Sequence, residues 1–211
     1  MKKVLYFAAM LLTMTLTISC QKEEVGGTSM ESMAGQWYCT VDAVDESGSP
    51  IAGGKDYWGV GRTIILTYNV SDNNTSQMWI NNLGIGNFAK DYNQPAYPDY
   101  DMCTKVNCDQ NSMSFTASES ANVAEPVIWS HQEKDPNDPD KTITVIDAQV
   151  DPMAVTIEGK ILKGAGRQNN GSVCDSIIMY VTYKNDPWYP DDGYARYKVS
   201  GIRYSGLVEN D

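Results

Sequence analysis

The sequence predicts an all-β chain, a single antiparallel barrel of about eight to ten strands, and three observations carry that expectation. From residue 35 onward apolar residues recur at every second position, the period of a strand with one buried face. Nowhere does an apolar stripe hold helical spacing for three turns. Clusters of Asp, Asn, Gly, Pro and Ser separate the alternating runs at hairpin-like intervals. Such a series builds a barrel or, as the alternative, a β-sandwich. Closure removes exposed sheet edges and favours the barrel, and about eight strands leave an interior able to hold one small ligand.

Each run can be read in order. Trp37, Cys39, Val41 and Ala43 alternate with Gln36, Tyr38, Thr40 and Asp42. Ile64, Leu66, Tyr68 and Val70 then alternate with Thr63, Ile65, Thr67 and Asn69, which predicts that Ile64, Leu66 and Tyr68 point inward. Runs 76–82 and 101–108 are β-rich but less one-sided. Met113, Phe115 and Ala117 alternate with Ser112, Ser114 and Thr116. Runs 122–130 and 142–150 flank the turn cluster Asp135 to Asp140. Val155, Ile157, Gly159 and Ile161 alternate with Thr156, Glu158 and Lys160, and Gly159 with Lys160 also marks a candidate tight bend. Run 173–184 is apolar on both faces and reads as a central strand, and 194–204 closes the series. Further turns fall at Ser71 to Asn74, Asp109 to Asn111, Asn169 to Gly171 and Asp191 to Gly193. The expected inward set of Ile64, Leu66, Tyr68, Met113, Phe115, Val155 and Ile157 either lines a ligand cavity or fills a core.

The N-terminus carries a processing signal. Lys2 and Lys3 precede the apolar run Val4 to Thr17, and Thr17-Ile18-Ser19-Cys20 reads as a lipobox, with Leu16 one position further from the cysteine than usual. The run is too short for a comfortable span, so residues 1–19 are expected to be a lipoprotein signal peptide and Cys20 the acylated residue. Residues 20–30, with Gly26, Gly27, Thr28 and Ser29, form a flexible tether to one domain over 31–211. Gln21-Lys22-Glu23-Glu24 resembles the acidic export tag of many Bacteroidetes lipoproteins, which implies an outer-membrane, lipid-anchored and cell-surface location.

Charge narrows the partners. The formal net charge of −11 becomes −13 without Lys2 and Lys3, and a chain this acidic repels phosphate backbones, so nucleic acid is not an expected partner. Cys39, Cys103, Cys108 and Cys174 lack the spacing of a disulfide scaffold, and Cys103 and Cys108 fall on opposite faces of one strand; free thiols are expected. No Cys-x-x-Cys pair suggests structural zinc.

Catalytic signals are sparse. No Gly-x-Ser-x-Gly elbow occurs, and His131 is the single histidine through which any Ser–His or Cys–His mechanism must run. Asp135, Asn137, Asp138 and Asp140 form an oxygen-rich cluster that could hold Ca²⁺, yet Pro136 and Pro139 make it equally a plain turn, and EF-hand spacing is absent. No other cofactor is expected. Two Pro-rich loops, 84–100 with Tyr92, Tyr97 and Tyr100 and 185–194 with Trp188 and Tyr189, could form an aromatic platform for sugar rings or cap the barrel mouth.

Three segments carry a resemblance: Met33-Ala34-Gly35-Gln36-Trp37, the stretch from Gly159-Lys160-Ile161 to Asp175-Ser176-Ile177, and Tyr197 to Gly206. With the lipobox they resemble the Bacteroidetes lipoprotein family described as lipid-binding putative hydrolases, across residues 31–208. That resemblance implies a lipocalin-like fold and a small apolar or amphipathic ligand, and it brings no catalytic set. Gly35-Gln36-Trp37 is also similar to the lipocalin opening, in which the Trp packs across the closed end against an Arg of the last strand. This implies a structural stack of Trp37 with Arg203, beside the plainer role of Trp37 as ordinary core. The expected function is non-catalytic binding of a lipid-like molecule in the barrel, with membrane contact through acylated Cys20. Carbohydrate binding by the loop aromatics is the alternative, and hydrolysis the third reading.

Overall fold

A computed structural model describes residues 27–56, 61–82, 100–124, 126–186, 189 and 194–206. Residues 1–26, and with them the expected signal peptide, Cys20 and most of the expected tether, lie outside the described residues, as do Tyr92, Tyr97 and Trp188. Among the described residues ten strands follow one another: β1 Gly35–Val44, β2 Thr63–Asn69, β3 Gln77–Asn81, β4 Cys103–Asp109, β5 Ser114–Ser120, β6 Val127–Asp135, β7 Asp138–Val150, β8 Val155–Arg167, β9 Val173–Tyr183 and β10 Arg196–Arg203. Eight of them close an antiparallel barrel in the order β1-β10-β9-β8-β5-β4-β3-β2, while β6 and β7 form a separate two-stranded sheet inserted between β5 and β8. The β1–β10 ladder, from Trp37↔Arg203 to Val44↔Arg196, is the seam that excludes a sandwich.

Alternation places the core as expected along β1, β5 and β8. Trp37, Cys39, Val41, Ala43, Phe115, Ala117, Val155, Ile157 and Ile161 are all buried. Strand β2 is the exception. Thr63, Ile65 and Thr67 face inward, while Ile64 and Leu66 are half-buried on the outer wall and Tyr68 is 37% exposed. The β1–β2 ladder forces this inversion, because Ile65 lies opposite Trp37 and Thr67 opposite Gly35, and directly opposed residues share a face. Counting apolar residues favoured the wrong face, since Thr67 earns its interior place through hydrogen bonding. Trp37 Nε1 donates to Thr67 Oγ1 at 2.9 Å, and that hydroxyl donates to the Met33 carbonyl at 2.7 Å.

Two smaller expectations also change. Gly159 makes no bend: it lies within β8 opposite Phe115, and a Cβ there would come 2.2 Å from the Phe115 ring. Its missing side chain is the space into which that ring packs. Met113 belongs to the turn before β5, with φ of 55°, and packs half-buried against the core instead of lining the interior as part of a strand. Cys39, Cys103, Cys108 and Cys174 are free thiols.

One end of the barrel is sealed. Met30 and Met33, in a short turn before β1, are fully buried there beside Trp37. The Arg203 guanidinium carbon lies 4.5 Å from the centroid of the Trp37 ring, and its nitrogens donate to the carbonyls of Ala34 at 2.6 Å and Ser32 at 3.2 Å. The stack expected from the sequence is therefore formed and doubles as a clamp on the entering chain.

Candidate functional site

Strand direction sends the longer connections to the opposite end. The β1–β2, β3–β4 and β9–β10 connections all leave from that rim, and so does the chain running through the β6–β7 hairpin. Turns at the sealed end are short, as between β4 and β5. This asymmetry makes the loop-bearing rim the candidate ligand mouth.

Three tyrosines floor it. Tyr100 follows the β3–β4 loop, Tyr183 ends β9 and Tyr197 stands near the start of β10. Their rings meet edge to face, with centroids 4.9 Å apart for Tyr100–Tyr183, 5.7 Å for Tyr100–Tyr197 and 6.1 Å for Tyr183–Tyr197. Such geometry sets the positive edge of one ring on the negative face of the next. Each hydroxyl has an assigned task. Tyr100 Oη donates to Asp186 Oδ2 at 2.8 Å, Tyr183 Oη donates to the Tyr100 carbonyl at 2.8 Å, and Tyr197 Oη accepts the Tyr194 amide at 3.1 Å. Burial holds the Tyr100 phenol well above the ordinary tyrosine value, and Tyr197 and the Asp186 carboxylate push it the same way. It therefore stays a neutral donor that ties the β3–β4 connection to the β9–β10 connection.

Asn82 fixes where the β3–β4 connection leaves and returns. It is 1% exposed. Its amide Nδ2 donates to the Tyr100 carbonyl at 2.8 Å, its Oδ1 accepts the Met102 amide at 2.5 Å, and its own amide donates to the Met102 carbonyl at 3.0 Å. A buried side-chain amide with both its nitrogen and its oxygen hydrogen-bonded costs little to bury and would cost much to truncate.

Directly beneath the tyrosines a void of about 10 Å³ is lined by Val41, Met102, Val181, Val199 and the three rings. That is space for about one water. Deeper still, Phe115, Met78, Ile80, Ile157, Ile161, Ile177 and Met179 are buried to within 2% and occupy the centre. Of the expected inward set, Phe115, Val155 and Ile157 thus fill core, Met113 packs at its edge, and Ile64, Leu66 and Tyr68 lie outside it. Of the loop aromatics within the described residues, Tyr100 is 3% exposed and belongs to the mouth floor, whereas Tyr189 is 50% exposed. These two do not share a platform.

The remaining candidates lie on the projecting hairpin. Asp135 accepts the Asn137 amide at 2.8 Å, Asp138 accepts the Asp140 amide at 3.3 Å, and Lys141 pairs with Asp138 at 2.8 Å. These contacts are those of a closed turn, and no group of three His, Cys, Asp or Glu among the described residues is disposed around a metal position. His131 is exposed on β6, with Nδ1 2.8 Å from Asp147 Oδ1 and Nε2 3.8 Å from Glu133. The hydrogen bond to Asp147 raises its pKa, reinforced by both carboxylate charges against a small burial effect. Among the described residues, His131 meets the carboxylates of Asp147 and Glu133 and not a hydroxyl or thiol that it could activate.

Asn82, Tyr183 and Tyr197 were not expected at a site. Period two would have found both tyrosines, since Tyr183 continues Met179 and Val181, and Tyr197 precedes Val199 at the same spacing. Nothing local distinguishes Asn82 from an ordinary loop residue.

Comparison with known families adds the deciding observation. The family model described as "Lipid-binding putative hydrolase" matches residues 22–208. The chain belongs to that family. This lipid-binding family member has no match among curated proteins. Membership covers the whole barrel together with the hairpin, so the β6–β7 insertion lies within the region the family model matches.

Proposed function

We propose that this protein is a non-catalytic carrier of a small apolar or amphipathic, lipid-like molecule, received at the tyrosine-floored mouth. The observation that carries the reading is the lipid-binding family match over a closed barrel whose longer connections gather at one end. The filled centre directs the ligand to the rim: chains settle above Tyr100, Tyr183 and Tyr197, whose apolar edges suit methylenes. Acyl chains on Cys20 hold the barrel at the outer membrane, facing the cell exterior, in the lipocalin-like arrangement of a Bacteroidetes lipoprotein.

Native mass spectrometry on residues 21–211, purified without detergent exchange, tests this. The expected spectrum contains an acyl-bearing compound that leaves on denaturation and is displaced by added fatty acid. A bare protein mass, together with no displacement of a fluorescent fatty-acid probe, would sink the reading.

A further inference from the structure

The outer wall of the barrel carries a second concavity, separate from the mouth. Residues alternating with the inward Val155, Ile157 and Val181 open a groove of about 380 Å³ across β8, β9 and β10. That volume falls in the usual small-molecule range of about 300–1,000 Å³. Because strands alternate, the sheet itself separates this groove from the interior, so the two sites are independent.

Its chemistry is dense and mixed. Thr156 and Thr182 sit directly opposite each other, as do Glu158 and Tyr180. Arg196 from β10 stacks over Tyr180 at 4.5 Å, donates to Glu158 Oε2 at 2.7 Å and to the Glu46 carbonyl at 3.3 Å. This guanidinium is fixed on three sides, forming with Tyr180 a flat, rigid wall bearing N–H donors. Glu46 forms the rim, and the turn that presents it is equally constrained. Asp45 Oδ1 accepts both the Ser47 hydroxyl at 2.6 Å and the Ser49 amide at 2.8 Å. Those bonds hold the Asp45 carboxyl below its usual range, the Ser47 hydroxyl contributing most. Gly48, with φ of 83°, lets the turn close against Tyr180, where a Cβ would approach Cε1 to 3.0 Å.

Three ligand classes fit such a lining badly. Two carboxylates against one arginine repel an anion. A purely apolar ligand would strip water from charged groups without replacing it. An isolated cation meets Arg196 in the wall. A polyhydroxylated ring would suit every charged and polar group present: its hydroxyls can donate to Glu46 and Glu158, exchange bonds with the two threonines and accept from Arg196, with a C–H face against the guanidinium plane that covers Tyr180. We infer that this groove binds a neutral sugar ring.

Saturation-transfer NMR on residues 21–211 with a panel of free neutral mono- and disaccharides tests the inference. Thr182→Trp fills the groove from an outward strand position where Trp is well tolerated, and Glu158→Gln weakens the acceptor and releases Arg196. At least one sugar should show transfer, reduced about tenfold in both variants, with their circular dichroism unchanged. If Thr182→Trp fails to fold, Glu158→Gln decides. No transfer from any sugar, transfer undiminished in a folded variant, or inorganic phosphate competing for the groove would each overturn the proposal. A lipid bound at the mouth would alter none of these outcomes.

Discussion

Thr67 shows how one hydroxyl can outweigh hydrophobic patterning. It accepts from the Trp37 indole and donates to the Met33 carbonyl, so a threonine belongs on the inner wall where a count of apolar residues predicts the reverse. Thr67→Val keeps the shape and orphans both partners. The expected loss is about 1–3 kcal/mol, the cost of leaving buried polar groups unpaired, read from the shift in denaturant midpoint; an unchanged midpoint would reject this account. His131 supplies a second test, because a lone histidine titrates without overlap. Its hydrogen bond to Asp147 raises the folded pKa above the ordinary histidine value. A raised pKa means that the pair stabilises the hairpin fully below the unfolded value near ~6.5 and that this contribution is lost as pH rises through the folded value. Asp147→Asn should lower the NMR titration midpoint toward the ordinary value, and an identical curve would show that Asp147 is not the cause.

Among elements, the β6–β7 hairpin stands apart. Among the described residues it pairs only with itself, and Ile128 and Ile146 are 49% and 60% exposed. A lone two-stranded sheet contributes little stability in water. Its ends, Val127 and Val150, are ladder partners, so a short Gly–Ser joint can replace residues 127–150 without moving β5 or β8. The shortened protein should unfold cooperatively with a melting temperature within a few degrees of the full chain, as calorimetry would show. Loss of cooperativity would mean that the hairpin is integral to the barrel. The turn signal at Asp135 to Asp140 was legible because Pro136 and Asn137 have strong local preferences. That the two strands would leave the barrel was not, because local patterning does not say which strand a neighbour will choose.

For the whole molecule, the contrast is between a sealed end and a loop-bearing end. Trp37, Arg203, Met30 and Met33 close one, and the tyrosine trio floors the other above a filled centre. The pairing of Arg203 with Trp37 was implied by the resemblance of Gly35-Gln36-Trp37 to the lipocalin opening, whereas the trio joins residues 83 and 97 positions apart. By itself the sequence determined the all-β class and the approximate positions of most strands and turns, since strand period and turn chemistry act over a few residues. Closure, the inverted face of β2, the Asn82 clamp and the outer groove were decided only in three dimensions. Each depends on which distant strand lies opposite, and register is set by the summed packing and hydrogen bonding of the closed barrel rather than by any one segment.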